Sequence, residues 1–461
     1  MFEDTIAAIS TPPGEGGIGI VRISGPRAEE IGLQIFRFAK QPDKPVSHRL
    51  YYGQVINPHN QQLIDEALIS FMRAPHTFTR EDVVEVNCHG GILPLSKTLE
   101  VVLAAGARLA EPGEFTQRAF LNGRIDLAQA EAVIQVIRAK TEAAMQVGVR
   151  QLTGRLSQEV AAVRKDLLAV LAQAEASIDF PEHQDVEDLT REEIADRTQQ
   201  AVAKLERLLS TADQGRILRE GLRTAIVGLP NVGKSSLLNA LLREQRAIVT
   251  AIPGTTRDVL EESINLGGIA LTVLDTAGIR ETPDEIERIG VELSHAAMAK
   301  ADLVLFVVDV TEGLNEENKL ILQAINDKPC IVIANKIDLL AEPQTVLSDL
   351  EKQLAPLPLV PMSVLHQQGL QELEETIIRY VFKGAVTAPE SVLVTTTRHK
   401  NALQKARQAL LELQSALAAG YAVDLLAIDL HTALEALGEI TGESVGPELL
   451  DEIFSNFCIG K

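Results

Sequence analysis

The spacing of apolar residues changes along this chain of 461 residues, and each change marks a different kind of structure. In the N-terminal part, short β-like runs such as Gly19–Ser24, 67–72 and Val83–Cys88 alternate with turns rich in Gly, Pro and Asn. One helix-like stretch, at about 92–105, interrupts them. These features predict an α+β domain over residues 1–118.

Helical spacing begins at about Leu127, where the apolar residues recur at intervals of three and four. Long amphipathic helices are predicted from there to about residue 179, with another at about 191–212. After residue 391 the pattern is helical again, and three further helices are predicted at about 398–418, 424–440 and 447–456. The two helical segments, 119–215 and 384–461, are therefore separated in the sequence.

Between these segments, residues 216–383 alternate strand, loop and helix, which is typical of an α/β domain. Amphipathic helices must bury their apolar stripe, and neither helical segment alone offers a second layer to cover it. We therefore expect the two helical segments to pack on each other. The predicted fold is multidomain: an α+β N-terminal domain and an all-α domain interrupted by an inserted α/β domain.

Composition limits the classes of protein that remain. Lys and Arg number 43 and Asp and Glu 64, so the net charge is −21. This charge argues against a generic RNA-binding module but does not exclude an RNA substrate. The three cysteines are widely scattered and form no disulfide or zinc pattern. No apolar run is long enough to span a bilayer, and no targeting segment is recognisable, so we expect a cytoplasmic protein.

A phosphate-binding loop opens the α/β domain. The strand-like run 223–228 leads into GLPNVGKS at 228–235, which has the G-x-x-x-x-G-K-S spacing and continues into a helical pattern. Backbone N–H groups of such a loop surround phosphates, Lys234 supplies positive charge and the Ser235 hydroxyl can bind Mg²⁺.

Companion motifs follow in the order expected of a guanine-nucleotide site. DTAG at 275–278 follows a strand-like run, and Asp275 would hold the magnesium shell while the Gly278 N–H senses the γ-phosphate. Thr256, within PGTTRD, is the expected second magnesium ligand. NKID at 335–338 selects guanine, because Asp338 can accept from two N–H groups that adenine lacks, and Lys336 would lie against the base.

The residue after DTAG is Ile279, where familiar small GTPases have a glutamine that orients the attacking water. Isoleucine cannot do this, so another polar group, a cation or a partner must contribute. The segment 280–292 offers five carboxylates for that role, Glu281, Asp284, Glu285, Glu287 and Glu292. The alternative for each of them is an ordinary solvated helix face.

Several long motifs together resemble one family. The chain contains TPPGEGGIGIVRISG near its N-terminus, EPGEFTQRAFLNGRIDLAQAEAV at 111–133, DTAGIRETPDEIERIG at 275–290, and FCIGK at 457–461. With the phosphate loop, these closely resemble the MnmE (TrmE) tRNA-modification GTPases over essentially the whole chain. The resemblance implies an N-terminal domain that dimerises and binds a tetrahydrofolate derivative, in the 5-formyl or methylene form, and an interrupted helical domain.

The resemblance also implies a GTPase domain that dimerises transiently and is activated by K⁺ without an arginine finger. Asn231 matches the family's K⁺ ligand in the phosphate loop, and Thr250, Ile252 and Thr255 would complete that ion site. Glu287 matches the glutamate that helps to orient water. Motifs and resemblance together give these GTP-binding residues: Asn231, Val232, Gly233, Lys234, Ser235, Ser236, Thr250, Ala251, Ile252, Pro253, Gly254, Thr255, Thr256, Asp275, Thr276, Ala277, Gly278, Asn335, Lys336, Asp338, Ser363 and Val364.

The folate contacts implied by the resemblance are Arg22, Glu85, Arg124 and Lys461. A glutamate can pair with the N–H groups of a pterin ring, and cations suit the carboxylates of the ligand. Cys458 would be the reactive thiol of the modification step. The alternative for Cys458 is a packed or incidental cysteine close to the end of the chain.

The function implied by the resemblance is GTP-driven modification of tRNA. An aminomethyl or carboxymethylaminomethyl group would be added to C5 of the wobble uridine, position 34, of certain tRNAs. The chain would act in a heterotetramer with MnmG, a partner that carries FAD and uses NADH. The alternative is a GTP-switched ribosome-assembly or RNA-binding factor, which would share the GTPase motifs but gives no reason for the CIGK tail.

Overall fold

The computed structural model describes residues 3–179, 191–244, 263–274, 298–325, 328–381, 392–421 and 423–461. Within these ranges, no helix is both long enough and apolar enough to cross a membrane.

The N-terminal unit is built on a seven-stranded sheet with the order β3-β4-β5-β6-β2-β1-β7. All neighbouring strands are antiparallel except β1 and β7, which are parallel. Three helices accompany the sheet. The bounds are β1 Ile6–Ile9, β2 Gly19–Ser24, α1 Ala28–Ile35, β3 Phe36–Phe38, β4 Arg49–Ile56, β5 Leu63–Met72, β6 Val83–Cys88, α2 Ile92–Ala104, β7 Arg108–Leu109 and α3 Glu114–Leu121.

Residues alternate between the two faces of this sheet. On β2, Val21 and Ile23 are fully buried in the core that α1 and α2 cover. Arg22 lies between them in the sequence and is therefore on the opposite face, where its register partner on β6 is Glu85. The strand pattern thus places two predicted folate residues side by side.

The predicted strands at Gly19–Ser24 and Val83–Cys88 and the helix near 92–105 are confirmed. The expectation of a single helix within residues 1–118 is wrong, because Ala28–Ile35 also forms a helix, α1. This helix has Ala28, Ile31 and Ile35 on one fully buried face. Spaced three and four residues apart, they provide an apolar stripe that packs on the sheet.

The helical unit draws on both predicted helical segments. Its helices are α4 Leu127–Arg138, α5 Glu142–Leu152, α6 Arg155–Asp179, α7 Arg191–Leu209, α8 Ala212–Glu220, α13 Thr397–Ala418, α14 Val423–Thr441 and α15 Pro447–Ser455. Apolar side chains of α6, α7, α13 and α14 form one continuous buried core, although about two hundred residues separate α7 from α13. The expected packing of the two segments on each other is therefore observed.

The α/β unit has a six-stranded sheet with the order β13-β12-β11-β8-β10-β9. Its strands are parallel except β9, which is antiparallel to β10. Apolar clusters lie on both faces, as expected for parallel strands. The bounds are β8 Leu222–Val227, α9 Lys234–Glu244, β9 Ser263–Leu266, β10 Ile269–Val273, β11 Leu303–Asp309, α10 Glu316–Ile325, β12 Cys330–Asn335, a 3₁₀ turn Ile337–Leu339, α11 Pro343–Leu354, β13 Leu359–Met362 and α12 Leu370–Val381.

Candidate functional site

The phosphate loop lies between β8 and α9, at the carboxyl end of a central parallel strand, where ligands bind in open α/β sheets. Its backbone needs positive φ at Gly228 (151°), Asn231 (63°) and Gly233 (108°). A Cβ atom on Gly233 would lie 2.3 Å from Nδ2 of Asn335. Glycine is therefore required here both for conformation and for the close approach of the neighbouring loop.

Lys234 is folded back onto the loop. Its Nζ donates to the carbonyl oxygens of Gly228 and Leu229, each at 2.8 Å. Burial lowers the pKa of Lys234. A phosphate group in the loop would give this ammonium a charged acceptor in place of neutral carbonyls, and such hydrogen bonds are stronger. Ser235 and Ser236 are exposed in the first turn of α9, whereas Val232 is buried.

Asn335 connects the phosphate loop to the loop after β13. Its Nδ2 donates to the Val232 carbonyl at 2.7 Å, and its Oδ1 accepts from the Val364 N–H at 3.2 Å. Only 3% of Asn335 is exposed. The side chain therefore holds two ligand-facing loops at a fixed separation.

The two residues expected to contact the base are held by other side chains. Asp338 Oδ1 accepts from Ser363 Oγ at 2.5 Å, and this hydrogen bond lowers the pKa of Asp338. Lys336, at φ 69°, places Nζ 2.5 Å from Oδ2 of Asp309. Asp338 is thus kept ionised and oriented by Ser363, as a receptor for two N–H donors requires.

Asp309 is a further residue of this site that no sequence motif predicts. Burial alone would raise its pKa, but hydrogen bonds from Lys336 and Thr311 lower it. The available signal was an aspartate that ends the wholly buried run of β11, next to the strand that leads into the phosphate loop. A buried carboxylate at that edge of a parallel sheet needs a cationic partner.

Several predicted nucleotide and ion ligands lie outside the described residues. These are the segment Thr250, Ala251, Ile252, Pro253, Gly254, Thr255 and Thr256, the DTAG residues Asp275, Thr276, Ala277 and Gly278, and Glu287. Asn231, the other predicted K⁺ ligand, is exposed on the phosphate loop.

A second cluster lies on the N-terminal sheet. Arg22 Nε donates to Glu85 Oε1 at 2.8 Å, and both side chains are only about one fifth exposed (19% and 22%). The guanidinium carbon of Arg22 lies 5.7 Å from the centre of the Phe115 ring. An ion pair of this kind presents both a carboxylate and a cation to a partly enclosed surface.

The CIGK tail is attached to this cluster. Ile459 forms a backbone bridge with Pro112, and the Gly460 carbonyl accepts from Ser10 Oγ at 3.1 Å and from Arg22 Nη1 at 3.5 Å. Gly460 has φ 91°, and a Cβ atom there would lie 2.2 Å from the Ile9 carbonyl oxygen. Glycine is therefore what allows the tail to lie this close to the sheet.

Lys461 is close enough to the ion pair to interact with it. Burial lowers the pKa of Lys461 and the charge of Arg22 adds to this effect, whereas Cys458 and Glu85 act in the opposite direction. Cys458 is exposed, while the other cysteines, Cys88 and Cys330, are buried. The fold thus brings Arg22, Glu85 and Lys461 together, with an exposed thiol nearby.

Arg124, the fourth predicted folate residue, follows α3 in the sequence and lies against Phe78. Its guanidinium lies 4.8 Å from the Phe78 ring centre and donates to the Phe78 carbonyl at 3.2 Å. Burial lowers the pKa of Arg124, and the charge of Arg80 adds to this. Phe78 packs against the small apolar cluster that contains Phe115. Arg22 and Arg124 therefore lie over two rings that belong to one cluster.

Comparisons with known proteins cover almost the whole chain. Residues 5–124 match the family model described as the GTP-binding protein TrmE N-terminus, and residues 127–458 match the MnmE helical domain. A tRNA modification GTPase MnmE from Geobacillus kaustophilus is 51% identical over 99% of both chains. Proteins of the same name from Heliobacterium modesticaldum and Staphylococcus epidermidis are 52% and 47% identical over the full length of both chains.

Among solved structures, Era from Aquifex aeolicus, bound to GDP and AlF₄⁻, is 32% identical with a TM-score of 0.29 and covers 42% of this chain and 67% of its own. The G domain of the FeoB iron transporter from T. maritima is 29% identical with a TM-score of 0.25 and covers 34% of this chain and 98% of its own. The two family models and the full-length identity of about one half are decisive: the chain belongs to the MnmE (TrmE) family of tRNA modification GTPases.

Proposed function

We propose that this protein binds and hydrolyses GTP and uses the cycle to modify the wobble uridine of certain tRNAs. With an FAD-containing, NADH-using MnmG partner in a heterotetramer, it adds an aminomethyl or carboxymethylaminomethyl group to C5 of uridine 34. The observation that supports the proposal most strongly is the pairing of a preformed guanine receptor with a thiol-bearing tail attached to a separate ion-pair site.

The nucleotide part rests on residues at one edge of the α/β sheet. Asp338, kept ionised by Ser363, accepts two hydrogen bonds from guanine, and Lys336 covers the base. Lys234 leaves its two carbonyl acceptors and binds the β- and γ-phosphates. Adenine offers Asp338 no such pair of donors, so the site selects GTP over ATP.

Two ions fit this site by the chemistry of their ligands. Oxygen ligands suit Mg²⁺, which Ser235 and Thr256 would hold. Asn231 with Thr250, Ile252 and Thr255 would hold K⁺, and Asn231 is exposed on the phosphate loop as that role requires. A cation there supplies charge where it develops during phosphoryl transfer. Glu287 orients the attacking water, since Ile279 cannot.

The N-terminal cluster is the proposed tetrahydrofolate site. Glu85 pairs with N–H groups of a pterin, while Arg22, Arg124 and Lys461 offer cations to the ligand's carboxylates. The half-buried Arg22–Glu85 pair fits a planar polar ring because both groups are fixed and only partly hydrated. Cys458, exposed on the tail, is the proposed thiol of the modification step.

The domain arrangement gives GTP hydrolysis a way to act on the tail. We infer that residues 216–383 are an insertion in the helical domain, because α7 and α13, which share a core, flank it in the sequence. The N-terminal domains form a homodimer, and the GTPase domains associate transiently during hydrolysis. Closure and release of the GTPase domains organise the folate site and the tail.

Nucleoside mass spectrometry of tRNA tests the proposal in a strain that lacks the gene. Wobble uridine modification should disappear, return with the intact gene, and fail to return with Lys234→Ala or Cys458→Ser. Cys330→Ser, a buried cysteine far from the tail in sequence, is the matched control and should restore modification. Normal modification in the deletion strain would refute the proposal and favour a ribosome-assembly role.

Calorimetry with a reduced formyl-folate tests the N-terminal site separately. Removal of Lys461 should weaken binding, because a half-buried cation next to Arg22 and Glu85 is lost. Lys97→Ala, which removes an exposed cation on α2, should leave binding unchanged. If the variant without Lys461 and Lys97→Ala bound the folate with equal affinity, the assignment of Lys461 to the folate site would be contradicted.

A further inference from the structure

The strand hairpin β9–β10 occupies a particular place in the sequence of the α/β unit. It begins at Ser263, seven residues after Thr256, and ends at Val273, two residues before Asp275. The hairpin therefore joins, through the chain itself, the two segments expected to respond to the γ-phosphate. A displacement of either segment would be transmitted to this hairpin along the chain.

Helix α5 of the helical unit contacts this hairpin directly. Lys140, two residues before α5, donates from Nζ to Ser263 Oγ at 2.8 Å, and Ser263 is only 3% exposed. A Cβ atom on Gly268, in the turn of the hairpin, would lie 3.6 Å from Ala143 Cβ. Val147 is buried in the same apolar core as both strands. The hairpin therefore rests on one face of α5.

Helices α4 and α5 form a closely packed pair. Only residues 139–141 connect them, and the Thr141 side chain caps α5 by accepting from the Ala144 N–H at 3.1 Å. A Cβ atom on Gly148 would lie 2.9 Å from a methyl group of Val136, so the two helices approach closely. Packed elements of this kind move as one body rather than bending continuously.

Helix α4 also contacts the residues that immediately precede the CIGK tail. Arg138, two residues before Lys140, donates from Nη2 to the Asn456 carbonyl at 2.7 Å. Apolar residues of α4 share a buried cluster with the last two phenylalanines of the chain; its buried members are Leu127, Ala130, Ile134, Phe454 and Phe457. Cys458 follows directly in the sequence.

We propose that Lys140 and Arg138 are positioning residues that make the placement of Cys458 depend on the bound nucleotide. When the β9–β10 hairpin moves, the hydrogen bond from Lys140 to Ser263 makes the α4–α5 pair move with it. The hydrogen bond from Arg138 to the Asn456 carbonyl then shifts the backbone two residues before Cys458. Neither residue is among those proposed to bind nucleotide or folate or to supply the thiol. The inference rests on the proposed function only because it takes the nucleotide site and Cys458 as the two sites that are coupled.

Cys458 provides the probe, because it is exposed whereas Cys88 and Cys330 are buried. The alkylation rate of Cys458 is measured by mass spectrometry in the full chain, with GDP alone and with GDP plus aluminium fluoride in potassium buffer. In the wild type we expect the two rates to differ by about fivefold or more, the usual lower end of coupling between sites. In Lys140→Met the ratio should fall to about one, without loss of nucleotide binding.

Rescue separates positioning from a merely structural role. Lys140→Arg should restore the ratio, since arginine can still donate to the Ser263 hydroxyl. Ser263→Ala should match Lys140→Met, and combining the two should cause no further loss, because both remove one interaction. Lys97→Met is the matched control, since Lys97 forms an exposed ion pair on α2 and should not change the ratio.

The inference fails if the wild type shows equal rates in the two states, or if Lys140→Met and Ser263→Ala both keep the wild-type ratio. Ser263→Ala keeps the test decisive if Lys140→Met does not fold. Arg138→Met should also reduce the ratio of the two alkylation rates to about one, while leaving the Lys140–Ser263 hydrogen bond in place. The alkylation ratio needs neither tRNA nor the partner protein, so absence of tRNA modification would refute the proposed function without deciding this inference.

Discussion

Glu131 of α4 joins the first helical segment to the start of α13. Its Oε1 accepts from Arg398 Nε and its Oε2 from Arg398 Nη2, both at 3.0 Å, while His399 Nε2 lies 2.8 Å from Oε2. The Glu131 side chain is 12% exposed and that of His399 is fully buried. Burial alone would raise the pKa of Glu131, but the charges and hydrogen bonds of His399 and Arg398 lower it to about 2.

Glu131→Gln keeps the shape of the side chain but removes the charge that Arg398 requires. Burial lowers the pKa of His399, so at neutral pH Arg398 supplies the positive charge that Glu131 faces. Breaking a buried ion pair by removing one partner costs about 3–5 kcal/mol in other proteins. We therefore expect the free energy of opening of α4 and the start of α13 to fall by about 3 kcal/mol.

Hydrogen exchange measured by mass spectrometry, on peptides from α4 and α13, gives this local opening free energy. Glu206→Gln is the matched control, because Glu206 also pairs with an arginine of α13, Arg407, but is half exposed (51%). Its effect should be small, as for other surface pairs. Equal protection in the two variants would refute the reasoning.

The pH dependence of exchange gives a second test of the same ion pair. Because the pKa of Glu131 is lower in the folded state, the contribution of Glu131 to the opening free energy is complete above about pH 4.5. This contribution is lost as the pH falls towards 2. The wild type should therefore lose protection in this window, and Glu131→Gln should lack that part of the loss. The same pH profile in both proteins would contradict the assignment.

Three further predictions concern the ligand sites. Asp338→Asn should weaken GDP binding by roughly 100-fold or more. It should favour xanthosine diphosphate, because the C2 carbonyl of that base can accept a hydrogen bond from the Asn amide. Unchanged selectivity between the two nucleotides in calorimetry would contradict the guanine receptor. Asn231→Ala should abolish the higher GTP hydrolysis rate in potassium than in sodium, and equal wild-type rates in both salts would defeat the ion assignment. Gly460→Val should detach the tail, because the new Cβ would meet the Ile9 carbonyl. The alkylation rate of Cys458 should then rise in every nucleotide state. An unchanged rate would show that the tail stays docked.

The parts of the site that the sequence predicts are those with local signatures. The phosphate loop and NKID each follow a buried strand, and parallel strands bring such loops to one edge of a sheet. The Ser363–Asp338 hydrogen bond accordingly joins NKID to another residue predicted to bind GTP. The resemblance groups Arg22 and Glu85 as folate contacts, and the register of β2 with β6 places the two residues side by side.

Other features have no local signature. The hydrogen bond from Ser10 Oγ to the Gly460 carbonyl joins residues 450 positions apart, and neither residue type indicates a partner. Helix α1 was missed because its apolar stripe is short and lies between strand-like runs. The Lys140–Ser263 contact depends on how the α/β unit meets α5, which no pattern within either segment determines.

Reconstituted modification is the most direct test of the central claim that GTP hydrolysis by this chain drives tRNA modification. The purified protein, the FAD-containing partner, NADH, a reduced folate, ammonium or glycine as the amine donor, and unmodified tRNA are incubated in potassium buffer with GTP or with a non-hydrolysable GTP analogue. Nucleoside mass spectrometry should detect modified uridine 34 with GTP and not with the analogue. Equal modification with the analogue would show that hydrolysis is not required, and no modification with GTP would contradict the proposed activity itself.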